Sequence, residues 1–343
     1  ASVTITATNS SVLTVTGAGV TQPIQNNKKA SSFIFNLPVV FDSEGGTETL
    51  RFNSGGDQSI TFSSSLTLND PLTVSGVNKN HDLNLNGSLL GAGNLKLANK
   101  AQANFGSAYD GSSYAGTLTT AGGAASTNNQ VTIISNVADD GTFLKSAGSL
   151  NVTKDGASIT VNGANTLKGN IAIGNFSPTL TINKNQSAIG TITMGSGTLN
   201  LALATDVTSA AFVDNSSSDW GTGKVVITGA ADNEVSFGTD ASGITAAQLA
   251  QITMSGSQAV ISDTGKLSVL EVAVSNFNNA GGDNLWSNVA NWSAGIPNVA
   301  TAKVTVDADL VIDSIVTVGQ IKTSGATSAA SVTITATNSS VHT

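Results

Sequence analysis

Residues 179–203 read TLTINKNQSAIGTITMGSGTLNLAL. Three runs inside this stretch, Thr179–Asn183, Thr191–Met194 and Thr198–Leu203, alternate an apolar residue with Thr, Asn or Ala. A period of two is the pattern of a strand with one buried face. Between the runs lie Gly, Asn and Ser, which supply turns. The same texture fills the chain on either side. It appears at Val3–Thr8, Leu13–Thr16, Ile60–Phe62, Leu66–Asn69, Leu83–Asn86 and Leu95–Ala98, and again at Val131–Ser135, Ser149–Thr153, Ser158–Asn162 and Ile171–Gly174.

Strand starts fall about 6–12 residues apart, a spacing that fits a sandwich or a solenoid of short strands and tight turns. Two features favour the solenoid. Small and β-branched residues occupy the inward places, as a thin stacked core requires. Asn recurs at run ends, at Asn69, Asn84, Asn86, Asn162, Asn183 and Asn200. At equivalent corners such amides stack and hydrogen-bond along the axis. The expected fold is an all-β parallel solenoid, with an array of β-sandwich domains as the alternative.

Composition narrows the function. Charged residues are 10% of the 343 and aromatics 5%, against roughly 25% charged in ordinary globular proteins. An apolar fraction of 39% is too high for a disordered chain. The net charge is −8 and Arg51 is the only arginine, with Lys28-Lys29 the only adjacent basic pair. Phosphate neutralisation needs clustered Lys and Arg, so nucleic acid is not an expected partner. The same deficit argues against an anionic membrane surface, and no apolar run has the length of a spanning helix. No signal peptide is visible, so a secreted protein would be represented by a mature or internal portion. The absence of cysteine excludes disulfides and thiolate metal sites.

Residues 242–252, SGITAAQLAQI, break the alternation and predict a short helix near 243–252. Thr245 with Gln248 three residues on fits a capping box. The predicted organisation is solenoid coils over 1–210, a closing mixed β cap over 211–275, and a new unit over 276–343 that opens with a loop and then returns to strands.

The two ends of the chain carry one sequence. Residues 1–14 read ASVTITATNSSVLT and residues 330–343 read ASVTITATNSSVHT, differing only at Leu13 and His342. The displacement is 329 residues (330 minus 1). This predicts a tandem array in which residues 330–343 are the first rung of the next copy.

Two segments also resemble known proteins. Asp283-Asn-Leu-Trp286, Asn291-Trp292 and Ile296-Pro297, followed by Val/Thr/Asp-rich strands, are similar to the opening module of bacterial autotransporter-like surface proteins and giant repeat adhesins. Trp220-Gly, Lys224-Val-Val-Ile-Thr-Gly229 and Phe237-Gly-Thr-Asp240, with Leu249 and Ile252, resemble the closing module of that group. Residues 1–205 match in style only. The resemblance implies a right-handed parallel β-helix with adhesion, surface-coat or gliding roles, at an extracellular bacterial surface. No barrel-forming translocator is visible.

Candidate chemistry is sparse. Asp307, Asp309 and Asp313 lie on one side of an extended run and are the candidate Ca²⁺ ligands, although Ca²⁺ needs six to eight oxygens. A solvated polar face is the simpler reading, as it is for the turn acids Asp42, Glu44, Asp139 and Asp140. Trp286 and Trp292 are candidates for a carbohydrate platform or for packing at a junction. Sequons occur at Asn151, Asn185 and Asn291, and Asp313-Ser314-Ile315 fits a short O-glycosylation pattern. Of the two His, His81 is expected in a turn and His342 replaces a Leu of the other copy. No catalytic cluster emerges, and no cofactor is expected. The leading expectation is a structural repeat whose partners are neighbouring copies of itself. The alternative is an adhesin module for a glycan or a cell-surface protein, which would expose Trp286, Trp292, Tyr109 or Tyr114 together. A glycan-active enzyme would need two carboxylates within about 10 Å across a groove.

Overall fold

The computed structural model describes residues 2–7, 11–16, 24–26, 31–53, 56–121, 131–146, 148–269, 274–297, 299–314, 316, 318–323 and 333–336. The chain divides into two compact units, Ala1–Val269 and Leu270–Thr343.

Unit 1 is a parallel β-solenoid of about eleven coils. Each coil contributes strands to up to three ladders. The second ladder is the longest. It begins with Ser2–Ile5 and Ser31–Phe35, and ends with Thr198–Leu203, Lys224–Thr228 and Ile252–Met254. One column of this ladder reads Val3, Phe33, Ile60, Leu83, Ala103, Ile133, Ile159, Leu180, Leu201, Ile227, Met254. From Ile60 onwards every member is buried. The neighbouring column runs Ile5, Phe35, Phe62, Leu85, Phe105, Ser135, Val161, Ile182, Leu203. The rings of Phe35 and Phe62 stack at 5.1 Å. The thin core expected from composition takes most of its bulk from Leu and Ile, with Phe at Phe33, Phe35, Phe62 and Phe105 of these columns.

The first ladder runs from Ile24–Asn26 and Glu48–Phe52 to Asn170–Ala172 and Ile192–Thr193. The third ladder joins Leu13–Val15, Val39–Phe41, Leu66–Leu68 and Leu89–Gly91. It resumes at Gln186–Ile189, Ala210–Phe212 and Val235–Phe237. Where strand pairing on this face lapses, Tyr114 fills a corner. Its hydroxyl donates to the Gly93 carbonyl and accepts from the Leu95 N–H, both at 2.9 Å.

The asparagine ladder is present. Asn183 Nδ2 donates to Asn162 Oδ1 (2.6 Å), and Asn162 Nδ2 donates to Asn136 Oδ1 (2.7 Å). A second set links Asn104 to Asn84 (2.9 Å) and Asn84 to Thr61 (3.2 Å). Asn69 and Asn200 instead donate to Asp42 and to the Pro178 carbonyl. Turn acids are held the same way: Asp139 accepts from the Ala164 N–H, and Asp140 from Asn165. Asn at a coil corner therefore satisfies its neighbour coil, one rung after another.

Two details depart from the sequence reading. His81 does not sit in a turn. It lies within the extended strand Leu72–Leu85, fully buried, with its ring stacked on Phe52 at 5.0 Å. Its Nε2 lies 3.0 Å from the Gly56 carbonyl oxygen. Parallel stacking also runs past residue 210. Residues 210–212 pair with 235–237 and residues 225–227 with 252–254, both in parallel. The antiparallel closure lies mainly in 252–269, where Ser257–Ile261 turns back on Ile252–Met254 and on Leu267–Val269, and it reaches Ser236, which pairs antiparallel with Lys266. The short helix, Ala246–Leu249, precedes it and carries the predicted capping box between Thr245 and Gln248.

Unit 2 has its own core of Phe277, Trp286, Trp292, Val304, Val306 and Leu310. Val274–Phe277, Val299–Val306 and Val318–Thr323 form one parallel ladder. Leu310–Ile312 and Ile334–Ala336 form another.

Column positions set the stability of unit 1. Leu201→Ala removes a fully buried side chain between Leu180 and Ile227 and is expected to cost about 2–5 kcal/mol. Ser135 breaks its column with a buried hydroxyl that has no hydrogen-bond partner among the described residues, so Ser135→Ala is expected to be neutral or stabilising by about 1 kcal/mol. Denaturant unfolding followed by circular dichroism would check both. A loss of stability in Ser135→Ala equal to that of Leu201→Ala would contradict the column argument.

Candidate functional site

The sequence features with most chemical content fall in the opening segment of unit 2. Asn291 closes a short 3₁₀ turn, Val289–Asn291, and is fully buried. Its Nδ2 donates to the Asp283 carboxylate (2.7 Å) and to the Leu285 carbonyl (2.9 Å). Its Oδ1 accepts from the Gly281 N–H (2.7 Å). Gly281 has no room for a side chain, because a Cβ there would stand 2.5 Å from Asn288 Nδ2 and 2.7 Å from Asn291 Oδ1. Asp283 also accepts from Asn288 Nδ2 (2.8 Å) and the Leu285 N–H (3.1 Å). These donors, led by Asn291, hold the Asp283 carboxyl below its ordinary proton affinity.

This network places both tryptophans inside the unit. Trp286 is 0% exposed and Trp292 is 6% exposed. Their rings meet edge to face at 4.6 Å, and Trp292 meets Phe277 at 5.1 Å. Trp292 Nε1 donates to the Trp286 carbonyl (2.8 Å). A sugar platform needs an exposed ring face, and neither ring offers one. Tyr109 and Tyr114 are likewise buried, and burial pushes both hydroxyls up in proton affinity.

The three aspartates of the Ca²⁺ candidate go separate ways. Asp313 accepts from the Ser287 N–H (2.9 Å) and from its hydroxyl, which lowers its proton affinity. Asp309 accepts from the Thr333 N–H (2.9 Å). Asp307 follows the end of Val299–Val306 and is exposed. Among the described residues, no three His, Cys, Asp or Glu side chains group closely enough to share a metal ion. Sequence reasoning placed these aspartates on one face but missed Ser287, the partner of Asp313. A contact across 26 residues leaves no local pattern.

Of the sequons, Asn291 is closed to modification because its amide is buried and fully engaged. Asn185 is exposed, with its side chain bonded to Thr208. Asn151 faces outward on Ser149–Thr153. Ser314 is exposed, and Ile315 of the same short pattern lies outside the described residues.

Unit 1 also carries a groove, about 410 Å³ in volume, lined by Phe212, Val213, Asp214, Gly238, Thr239 and Asp240 among others. Asp214 and Asp240 each cap a turn, accepting from Ser216 and Ser242 respectively. Those bonds, led by the serine hydroxyls, lower the proton affinity of both. Glycoside hydrolysis requires one carboxyl kept protonated beside an ionised one. Here both are shifted towards the ionised form.

The fold and its corners define a β-solenoid built from tandem coils. No family model, curated protein or solved structure matches the chain. Among the described residues no helix is long and apolar enough to cross a membrane.

The Asn291 network is the keystone of unit 2. Asn291→Ala strands the Gly281 N–H and removes two donors, and is expected to cost on the order of 2–4 kcal/mol. Tryptophan emission should shift to the red as Trp286 and Trp292 become wetted, and unchanged emission would contradict the assignment.

Unit 2 should also respond to acid. Asp283 and Asp313 have folded-state proton affinities below the unfolded value, so their stabilisation is present above about pH 4. It is lost as pH falls through the folded values, which lie lower still. Asp313→Asn should lower stability at pH 7 and flatten this acid limb in a pH series of thermal melts.

Proposed function

We propose that the chain is a structural repeat of an extracellular bacterial surface protein, such as a filament, surface layer or adhesin stalk. The observation that carries this reading is the repetition of residues 1–14 at 330–343. A chain that starts again after 329 residues is a chain that continues as an array.

The fold suits that role. Parallel coils form an uninterrupted ladder of backbone hydrogen bonds over a narrow apolar core. At ~4.8 Å per rung, the coils of unit 1 would span roughly 50 Å. Length then comes from adding copies, and many weak contacts along a repeated surface sum by avidity. The aromatic residues that a glycan-binding module would present are used instead to fill cores and corners. The resemblance of the opening and closing segments to autotransporter-like surface proteins points the same way.

Cryo-electron microscopy of the native assembly tests the proposal. Continuous density joining residue 329 of one copy to the first rung of the next is the expected result. Discrete particles with two free ends each would overturn it.

A further inference from the structure

Thr4-Ile5-Thr6-Ala7 and Thr333-Ile334-Thr335-Ala336 are the same tetrapeptide in the two repeated ends. The structure holds the two by opposite edges. In unit 2, Ile334–Ala336 lies parallel to Leu310–Ile312, a strand that precedes it, with Leu310 opposite Ile334. Leu310 N–H donates to the Thr333 carbonyl (3.0 Å). In unit 1, Ser2–Ile5 lies parallel to residues 32–35, a strand that follows it, with Ile5 opposite Phe35. Asn36 N–H donates to the Ile5 carbonyl (2.9 Å).

The two sets of bonds do not compete. The carbonyl facing the preceding strand belongs to repeat position 4, and the carbonyl facing the following strand belongs to position 5. Successive carbonyls along an extended strand point to opposite edges. A single strand can therefore make both sets at once. The side chains agree in parity. Leu310 is buried in the core of unit 2, Phe35 is buried in unit 1, and Ile5 packs against that same core. Among the described residues, three of the seven exposed large apolar side chains lie in these terminal coils. Val3 (52%) and Val12 (52%) lie in the first coil of unit 1, and Ile334 (45%) lies in the last described strand of unit 2.

We propose that consecutive copies join through one shared rung, in which residues 4–7 of one copy seat on Leu310–Ile312 of the copy before while their other edge pairs onto Phe35. The column Leu310, Ile5, Phe35, Phe62 then runs unbroken across the junction. The partner is a second copy of this chain, and the inference rests on the tandem-array reading above. It adds the register, which that reading leaves open. Asp309 belongs to the device, because its carboxylate takes the Thr333 N–H just before the pairing begins.

The test is a two-copy chain, residues 1–329 followed by 1–343, with spin labels on Lys303→Cys of the first copy and Thr47→Cys of the second. Both positions are exposed, and the natural chain has no cysteine to interfere. Double electron–electron resonance should give one narrow distance. Ile5→Asp in the second copy, at the junction, should broaden it. Ile5→Asp in the first copy, at the free end, should leave it narrow and shows that the coil tolerates the change. A broad distribution in the unsubstituted chain overturns the shared rung, and so does a narrow one that survives the junction substitution. Native microscopy judges the array independently, since copies could be linked in nature by a loose joint, or meet in register only when joined artificially.

Discussion

Every feature of unit 1 depends on one constraint: adjacent coils must hydrogen-bond in parallel while keeping the same side chains inward. A slip of one residue would turn each core side chain out to water. The coils obey this although their lengths differ. Ile60 and Leu83 are 23 residues apart along one column, Leu83 and Ala103 are 20 apart, and Ala103 and Ile133 are 30 apart. The strands hold the parity and the turns absorb the difference. That is why the turns are rich in Gly and Asn, and why six non-glycine residues of unit 1, three of them Asn, take positive φ among the described residues.

The low charge follows from the same constraint. A side chain on an outward position sits above and below its equivalents in neighbouring coils, only ~4.8 Å away. Like charges stacked at that spacing repel, whereas Asn, Ser and Thr can donate to one neighbour and accept from the other. Asn136, Asn162 and Asn183 do so in succession. The only salt bridge among the described residues, Lys184 to Asp206 at 3.5 Å, is exposed and adds little. Uniform polar ladders thus replace the mixed charges of an ordinary protein surface.

What could be read from sequence was whatever is encoded locally or by repetition. The alternation at Thr198–Leu203, the capping box of Thr245 and Gln248, and the corner asparagines all declare themselves within a few residues. His81 did not, because Asn-Lys-Asn-His-Asp reads as a turn until Phe52 and Gly56 of the preceding coil are placed beside it. The extent of parallel stacking past 210 was hidden for a related reason: Trp220 and the helix interrupt the alternation without interrupting the pairing. Trp286 and Trp292 were ambiguous because a platform and a core use the same residue. Only the network of Asn291, Asp283 and Gly281 decides which way the rings face.

The same physics gives the repeated ends their meaning. An open solenoid end exposes both core and unpaired backbone, a liability that proteins cover with caps, bulges or charge. At 252–269 unit 1 covers its end with antiparallel strands. The strand Ser2–Ile5 carries Val3 exposed and no charged residue. Unit 2 shows what fits there, because it already holds the same tetrapeptide against Leu310–Ile312. In the shared rung proposed above, that segment would pair along both edges in one fixed register. A segment so placed would have to satisfy one coil on each edge, so substitutions there would be constrained from both sides.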